Sequence, residues 1–208
     1  MTAGTAQPTP KLLKARQRHS RWFVMLLIPL IVFSMGMANP DSLWHELGDW
    51  GGYFLVIICV LGRAYCSSYI GGIKNEGIMR MGPYAIVRNP LYVFSFIGLL
   101  GIGLQSGSVS ILVLLVITFL AYYKQVVAKE EAFLEHKFGD AYRVYKAEVP
   151  RWIPKFTLWQ EPQEVLTRPY FIRHTMMDAV PFFMALPLFE LLETLHESGV
   201  IPVMLVLP

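Results

Sequence analysis

Long apolar runs separated by polar segments dominate the pattern of hydrophobic and polar positions along the chain. A helix needs about 20 predominantly apolar residues to cross the hydrocarbon core of a membrane. Five runs reach or approach that length and predict five membrane-spanning helices, at 22–38, 50–70, 91–104, 109–127 and 176–195. The third and fourth runs are joined by a short polar turn, so they predict a helical hairpin. The apolar tail at 200–208 is too short to cross and is expected to fold back at the interface.

The polar segment 128–154 follows the fourth apolar run. Phe133, Leu134 and Phe138 lie on one face of a helix there, which predicts an amphipathic helix beside the membrane. Gly139 is expected to end or bend this helix, and the prolines that follow favour an extended path. The pattern as a whole predicts an all-α, multi-pass membrane bundle.

Composition and charge agree with this interpretation. Hydrophobic residues make up 54% of the 208 residues and charged residues 16%, whereas an ordinary soluble domain has about 25% charged residues. These values exclude a disordered chain, a disulfide scaffold and a nucleic-acid-binding domain. All 18 lysines and arginines lie in three blocks, at 11–21, 63–88 and 124–173. Because basic residues favour the cytoplasmic side of a membrane, the three blocks are expected to share that side.

These patterns divide the chain into four parts. They are a basic cytoplasmic arm at 1–21, a membrane core at 22–127, a polar cytoplasmic segment at 128–154 and an extension at 155–208 that contains the fifth apolar run.

A first cluster of polar residues stands directly before the third apolar run. Arg88 and Asn89 precede Pro90, a residue that is favoured at the first position of a helix. The free N–H groups of a helix amino terminus suit an anionic ligand. Asn89 is explained equally well as the cap of that helix, and the sequence leaves both interpretations open.

A second cluster, Glu130 and Glu131, lies at the end of the fourth run. If the helix continues past the two glutamates, the pair lies at the membrane surface and can bind an amine or another cation. If the helix ends there, the pair begins a solvated polar segment.

Arg63, the one charge in the second run, either extends to the interface or faces a polar cavity. The histidines share no metal-ligand spacing, so no metal site is expected.

Taken together, the two clusters resemble the isoprenylcysteine carboxyl methyltransferase and phospholipid methyltransferase superfamily. The first reads Gly82-Pro83-Tyr84-x-x-Val87-Arg88-Asn89-Pro90-x-Tyr92. After one hairpin, the second reads Glu130-Glu131-x-x-Leu134-x-x-x-Phe138-Gly139-x-x-Tyr142-x-x-Tyr145-x-x-x-Val149-Pro150-Arg151-x-Ile153-Pro154. The similarity covers about residues 76–154. It implies a membrane enzyme that transfers a methyl group from S-adenosylmethionine to a lipophilic acceptor or membrane lipid, with its site facing the cytoplasm.

The resemblance also implies which residues form the site. By position, the cofactor-binding residues are Glu76, Gly77, Ile78, Met79, Tyr84, Asn89, Pro90, Leu91, Tyr92, Glu130 and Glu131. The residues proposed to act on the acceptor are Arg88, Asn89 and Arg63.

Two departures from the family concern the acceptor. Asn89 stands where the family has a histidine, and an amide can form hydrogen bonds but cannot titrate. Val126 stands where the prenylcysteine enzymes have an arginine that binds the substrate carboxylate, so Arg63 or Arg88 would have to replace it. A phospholipid or another small lipophilic acceptor is therefore preferred to a prenylcysteine, which stays an alternative.

Two other functions fit the predicted spans less well. A sterol-type reductase that uses NADPH would require an arginine-rich pocket for the 2′-phosphate, which a pair of glutamates does not provide. A non-catalytic membrane protein would leave both polar clusters without a role.

Overall fold

The computed structural model describes residues 32–36, 43–71 and 77–207. In chain order, its elements are strand β1 Ser34–Gly36, helices α1 Leu43–Ile70, α2 Pro83–Ile86, α3 Pro90–Gln105, α4 Val109–Phe138 and α5 Asp140–Glu148, the 3-10 turn Phe156–Leu158, helices α6 Pro169–Met177 and α7 Val180–Glu197, and strand β2 Leu205–Leu207. The architecture is the helical bundle that the apolar runs predict.

Within the described residues, three helical stretches are long and apolar enough to cross a membrane. They are His45–Ile70, Val109–Phe138 and Pro169–Glu197, the last of which consists of α6 and α7. Helix α3 is equally apolar, but its 16 residues extend only about 24 Å. Of the five predicted crossings, the second, fourth and fifth are therefore found at full length and the third is shorter. Of the first, only residues 32–36 lie within the described part of the chain.

Several boundaries differ from those that the sequence predicts. Helix α1 begins before the second run, at Leu43, and so includes the acidic residues Glu46 and Asp49. Helix α4 continues to Phe138, because no helix-breaking residue occurs before Gly139. Gly139 has a φ of 56°, a left-handed conformation that glycine adopts readily, and it ends α4 as predicted.

The two strands correct the predictions for both ends of the described chain. Ser34–Gly36 was included in the first predicted helix but pairs in parallel with Leu205–Leu207, with Ser34 opposite Leu205. The apolar tail therefore ends in a strand rather than in a simple fold-back. This pairing joins an early segment of the chain to its last described residues.

Helices α1 and α3 pack closely because glycines line their contact. A Cβ atom on Gly98 would lie 2.6 Å from the Sγ of Cys59, and one on Gly101 would lie 2.7 Å from the carbonyl oxygen of Gly52. Both distances are too short for any side chain. Cys59 and Cys66 are buried free thiols, and Cys59 lies at this contact.

The carboxyl-terminal helices α6 and α7 contact α1 near both of its ends. Near one end, the Ser67 hydroxyl donates to the carbonyl oxygen of Phe171 at 3.1 Å and lies 2.8 Å from the Thr175 hydroxyl of α6. Near the other end, His45 lies 3.8 Å from Glu193 of α7. The extension is thus an integral part of the bundle.

Candidate active site

The segment that carries the first polar cluster is held by the chain that follows α5. The backbone N–H of Arg88 donates to Pro150 at 2.9 Å, and that of Lys155 donates to Ile86 at 2.9 Å. The prolines that follow α5 favour an extended backbone, which leaves these groups free to pair with a neighbouring segment. The Tyr145 hydroxyl adds a 2.8 Å hydrogen bond to the carbonyl oxygen of Tyr84. The motif backbone is therefore fixed from α2 to the start of α3.

A cavity of about 530 Å³ lies beside this segment, between α1, α3, α4, α5 and α6. Small-molecule sites usually enclose about 300–1,000 Å³. The cavity is lined by the described members of the predicted site: Arg63, Gly77, Ile78, Met79, Tyr84, Arg88, Asn89, Pro90, Leu91, Tyr92, Glu130 and Glu131. Glu76 lies outside the described residues. The fold therefore brings together residues that are far apart in sequence.

Glu131 is the centre of a buried ionic network. Its carboxylate is 3% exposed and accepts hydrogen bonds from Arg151, from Nη2 at 2.5 Å and from Nε at 3.2 Å. The Nε of Arg88 lies 3.4 Å away, close enough for an ion pair although not aligned for a hydrogen bond. The hydrogen bond to Glu131 raises the pKa of Arg151. One carboxylate is thus shared by two guanidinium groups.

Asn89 occupies the cap position of α3, but its side chain makes no capping hydrogen bond. Its Nδ2 instead donates to Oε1 of Glu131 and to the carbonyl oxygen of Arg151, both at 3.3 Å. Of the two interpretations of Asn89, the simple cap is therefore wrong. The residue joins the start of α3 to the ionic network.

Glu130 differs sharply from its neighbour in sequence. It is exposed, and the Tyr92 hydroxyl donates to its carboxylate at 2.9 Å. The Tyr92 ring lies 4.9 Å from that of Tyr123, which orients it. Because α4 continues past the pair, Glu130 lies along the helix at the cavity rather than at the helix end.

Tyr84 presents a hydroxyl group with no hydrogen-bond partner to the same cavity. The residue is only 5% exposed, and burial raises its pKa well above the usual value. Burial also raises the pKa of Tyr142 to about 12. Both phenols therefore stay protonated at neutral pH. A buried donor without a partner is costly, so Tyr84 is suited to donate to a ligand.

Arg63 faces the cavity, which decides between its two interpretations. Its Nη1 donates to the Ser95 hydroxyl of α3, and its buried Nε has no hydrogen-bond partner. Val126 of α4 is buried and does not line the cavity. The guanidinium of Arg63 therefore approaches the cavity from α1, whereas position 126 lies on α4.

Arg151, which pairs with Glu131 beside the cavity, and the lining residues after Pro169 are not among the predicted site residues. Arg151 was noted only as part of a motif, because its pairing with Glu131 depends on how the chain turns after α5. The segment 171–178 adds four lining residues, Phe171, His174 and Thr175 of α6 and Asp178 directly after it. The four-residue spacing of His174 and Asp178 indicates a shared helical face, but the sequence does not show that this face closes a cavity.

Comparison with known proteins agrees with this arrangement. Residues 42–141 match the phospholipid methyltransferase family. The chain is 36% identical to the protein-S-isoprenylcysteine O-methyltransferase of Schizosaccharomyces pombe over 39% of its length and 34% of that relative. No solved structure matches the chain.

Two relatives match over nearly the whole chain. The cobalt-zinc-cadmium resistance protein CzcN of Cupriavidus metallidurans is 27% identical over 89% of this chain and 86% of its own. The nickel-cobalt-cadmium resistance protein NccN of Alcaligenes xylosoxydans xylosoxydans is 26% identical over 93% of this chain and 91% of its own.

The fold and the matches together support an integral membrane protein that is similar to membrane methyltransferases. The family match over residues 42–141 and the partial match to the isoprenylcysteine enzyme confirm that the two motif clusters resemble the superfamily of membrane methyltransferases. The family match ends at residue 141, so α6 and α7 lie outside it.

Proposed function

We propose that the protein transfers a methyl group from S-adenosylmethionine to a lipophilic acceptor at the cytoplasmic face of the membrane. The observation that supports this most directly is the meeting of both motif clusters at one cavity. Arg88, Asn89 and Tyr92 come from one cluster, and Glu130 and Glu131 from the other.

The chemistry of the lining suits S-adenosylmethionine. Its cationic ammonium group and its ribose hydroxyls are complementary to the exposed carboxylate of Glu130. The protonated Tyr84 hydroxyl is a donor for its carboxylate or adenine, and Ile78 and Leu91 offer apolar contacts for the ring. When bound, the cofactor supplies an electrophilic methyl group on a sulfonium.

Transfer of that group requires alignment and exclusion of water more than a strong acid. The protein supplies alignment through the Glu131 network, which fixes the start of α3 against the chain after α5. Arg88 lies within this network, so it positions the motif rather than carrying a free charge toward the acceptor.

The acceptor that this cavity favours is a lipophilic molecule without a free carboxylate. The guanidinium groups of Arg88 and Arg151 pair with the carboxylate of Glu131. The guanidinium of Arg63 donates a hydrogen bond to the Ser95 hydroxyl. A prenylcysteine carboxylate would have to compete for one of them. A phospholipid amine or another lipophilic acceptor would not.

Binding of radiolabelled S-adenosylmethionine to the purified protein in detergent tests the proposal. We expect saturable binding that Glu130→Gln weakens at least tenfold, because it loses a charge at the cavity. Glu135→Gln is the matched control, since Glu135 lies on α4 and pairs with Lys146 and Arg143 outside the cavity. Absence of binding to the wild-type protein would contradict the proposal, as would binding of NADPH instead.

The orientation of the site is tested separately by cysteine labelling. Lys146 on α5 and Glu46 near the start of α1 lie at opposite ends of the membrane helices, and the native cysteines are buried. We expect an impermeant maleimide to label Glu46→Cys on intact cells, but Lys146→Cys only after permeabilisation. The reverse pattern would place the cavity on the outer face.

The names of CzcN and NccN concern resistance to metal ions and do not state a reaction. In the part of the chain that the structure describes, no group of three or more His, Cys, Asp or Glu side chains is arranged to hold a metal ion. The described cavity therefore gives no support to metal transport as a second function.

A further inference from the structure

Helix α6 closes the cavity on the side that the family match does not cover, and it is fixed there. Thr167 donates to the carbonyl oxygen of Ser68 at 2.9 Å, just before α6 begins. The Ser67 contacts to Phe171 and Thr175 then hold the helix itself. A Cβ on Gly71 would lie 3.1 Å from that of Phe171, so α1 and α6 approach each other closely. These contacts therefore hold the lining residues of α6 in place against α1.

This side of the cavity carries a histidine paired with a carboxylate. The Nδ1 atom of His174 lies 3.2 Å from Oδ2 of Asp178, one helical turn later. A carboxylate only accepts hydrogen bonds, so this contact favours a proton on Nδ1 and leaves the lone pair on Nε2. The ring of Tyr170, one helical turn earlier, lies 6.0 Å from the imidazole. The pair therefore orients a base at the cavity.

The other titratable groups of the described lining are less suited to accept a proton. Glu131 is shared by two arginines, and Glu130 accepts a hydrogen bond from Tyr92. Tyr84 and Tyr142 retain their protons, because burial raises their pKa values. Asn89 cannot titrate. Histidine is the side chain that most often acts as a base near neutral pH.

We infer that His174 is the proton acceptor of the methyl-transfer reaction, with Asp178 as its positioning residue, and that the methyl acceptor carries a dissociable N–H or O–H group. This inference rests on the proposed function. The acceptor atom forms a bond to the methyl carbon, and the sulfur–methyl bond breaks with its electron pair left on sulfur. The proton of the acceptor atom passes to Nε2. Since the His174 side chain is 60% exposed, that proton can then be released to water.

The first test reads the imidazole itself and needs no activity. Nitrogen-15 NMR of histidine-labelled protein in detergent micelles distinguishes the two neutral tautomers. We expect the Nδ1–H form of His174 to predominate, and to lose that predominance in Asp178→Asn. A predominant Nε2–H form in the wild-type protein would overturn the inference.

The second test measures transfer of labelled methyl groups to the extracted lipids of the expression membranes. We expect alkali-stable label, as in a methylated amine or ether. His174→Gln should lower kcat roughly 100-fold and leave the Kd for S-adenosylmethionine unchanged, because a general base contributes about 10²–10⁴-fold. Asp178→Asn should lower kcat less. The matched control is His136→Gln, an exposed position of α4 away from the cavity.

The outcomes separate this inference from the proposed function. Alkali-labile label would indicate a carboxylate acceptor, which needs no base. That result, or an unchanged kcat in His174→Gln, would overturn the inference while methyl transfer itself stood. Failure of the wild-type protein to bind S-adenosylmethionine would instead overturn the proposed function.

Discussion

The cavity has two walls that are built in different ways. The motif wall consists of residues 77–92 together with Glu130 and Glu131, and the extension wall consists of α6 and the adjoining Asp178. In the motif wall, Glu131 and Arg88 pair with each other almost out of contact with water, since their side chains are 3% and 8% exposed. In the extension wall, His174 and Asp178 also pair, but both side chains are more than half exposed.

This difference indicates how freely each wall can change. In a buried ionic network, the loss of one partner leaves the others charged and desolvated, so its members depend on one another. An exposed pair keeps its water, and either partner can be replaced at little cost in stability. The motif wall is therefore suited to one fixed ligand, whereas the extension wall can be altered to suit a particular acceptor.

The largest effect is expected from Glu131→Gln. The substitution keeps the size of the side chain but leaves Arg88 and Arg151 facing each other without their shared carboxylate. We expect the free energy of unfolding to fall by about 3 kcal/mol, the lower end of the cost of breaking a buried ion pair. Reversible unfolding of the purified protein in mixed micelles would measure it.

The matched control for that experiment is Glu130→Gln, one residue away on the same helix. Since Glu130 is exposed, its loss should change the free energy of unfolding by well under 1 kcal/mol. Equal destabilisation by the two substitutions would show that the motif wall does not depend on its buried network.

A smaller effect is expected from Tyr92→Phe, which acts on binding rather than on stability. The phenylalanine keeps the contact with Tyr123 but loses the hydrogen bonds to Glu130. The carboxylate is then less well oriented, and we expect the Kd for S-adenosylmethionine to rise about tenfold, equivalent to 1.4 kcal/mol. Isothermal titration would measure it.

The control for this substitution is Tyr123→Phe, which keeps the ring next to Tyr92. An unchanged Kd in Tyr92→Phe would show that orientation of Glu130 does not contribute to binding. The hydrogen bond between Tyr92 and Glu130 would then not set the motif wall apart from the extension wall in ligand binding.

The sequence predicts the motif wall far better than the extension wall. Its residues lie in two short segments whose spacing is distinctive, and apolar runs of sufficient length indicate the helices between them. The sequence does not predict which side chains those residues pair with. That Arg151 meets Glu131 depends on the turn at Gly139 and on the extended chain after α5, which local patterns do not determine.

Tertiary packing explains what the sequence could not predict. The fifth predicted crossing divides at residues 178–179 into α6 and α7, and α6 contacts Ser67 of α1. The lining positions of His174 and Asp178 follow from that contact. The strand at Ser34–Gly36 likewise depends on a partner about 170 residues later in the chain.

The smallest effect is expected from Ser67→Ala, which loosens the extension wall alone. It removes the hydroxyl contacts to Phe171 and Thr175, worth about 1 kcal/mol. Amide hydrogens of 169–177 should then exchange about fivefold faster with deuterium, while those of 77–92 stay unchanged. Ser68→Ala is the matched control, since that hydroxyl donates to Tyr65 of its own helix. If 77–92 also exchanged faster in Ser67→Ala, the two walls would form one cooperative unit. Changes to α6 would then disturb the motif wall as well as the extension wall.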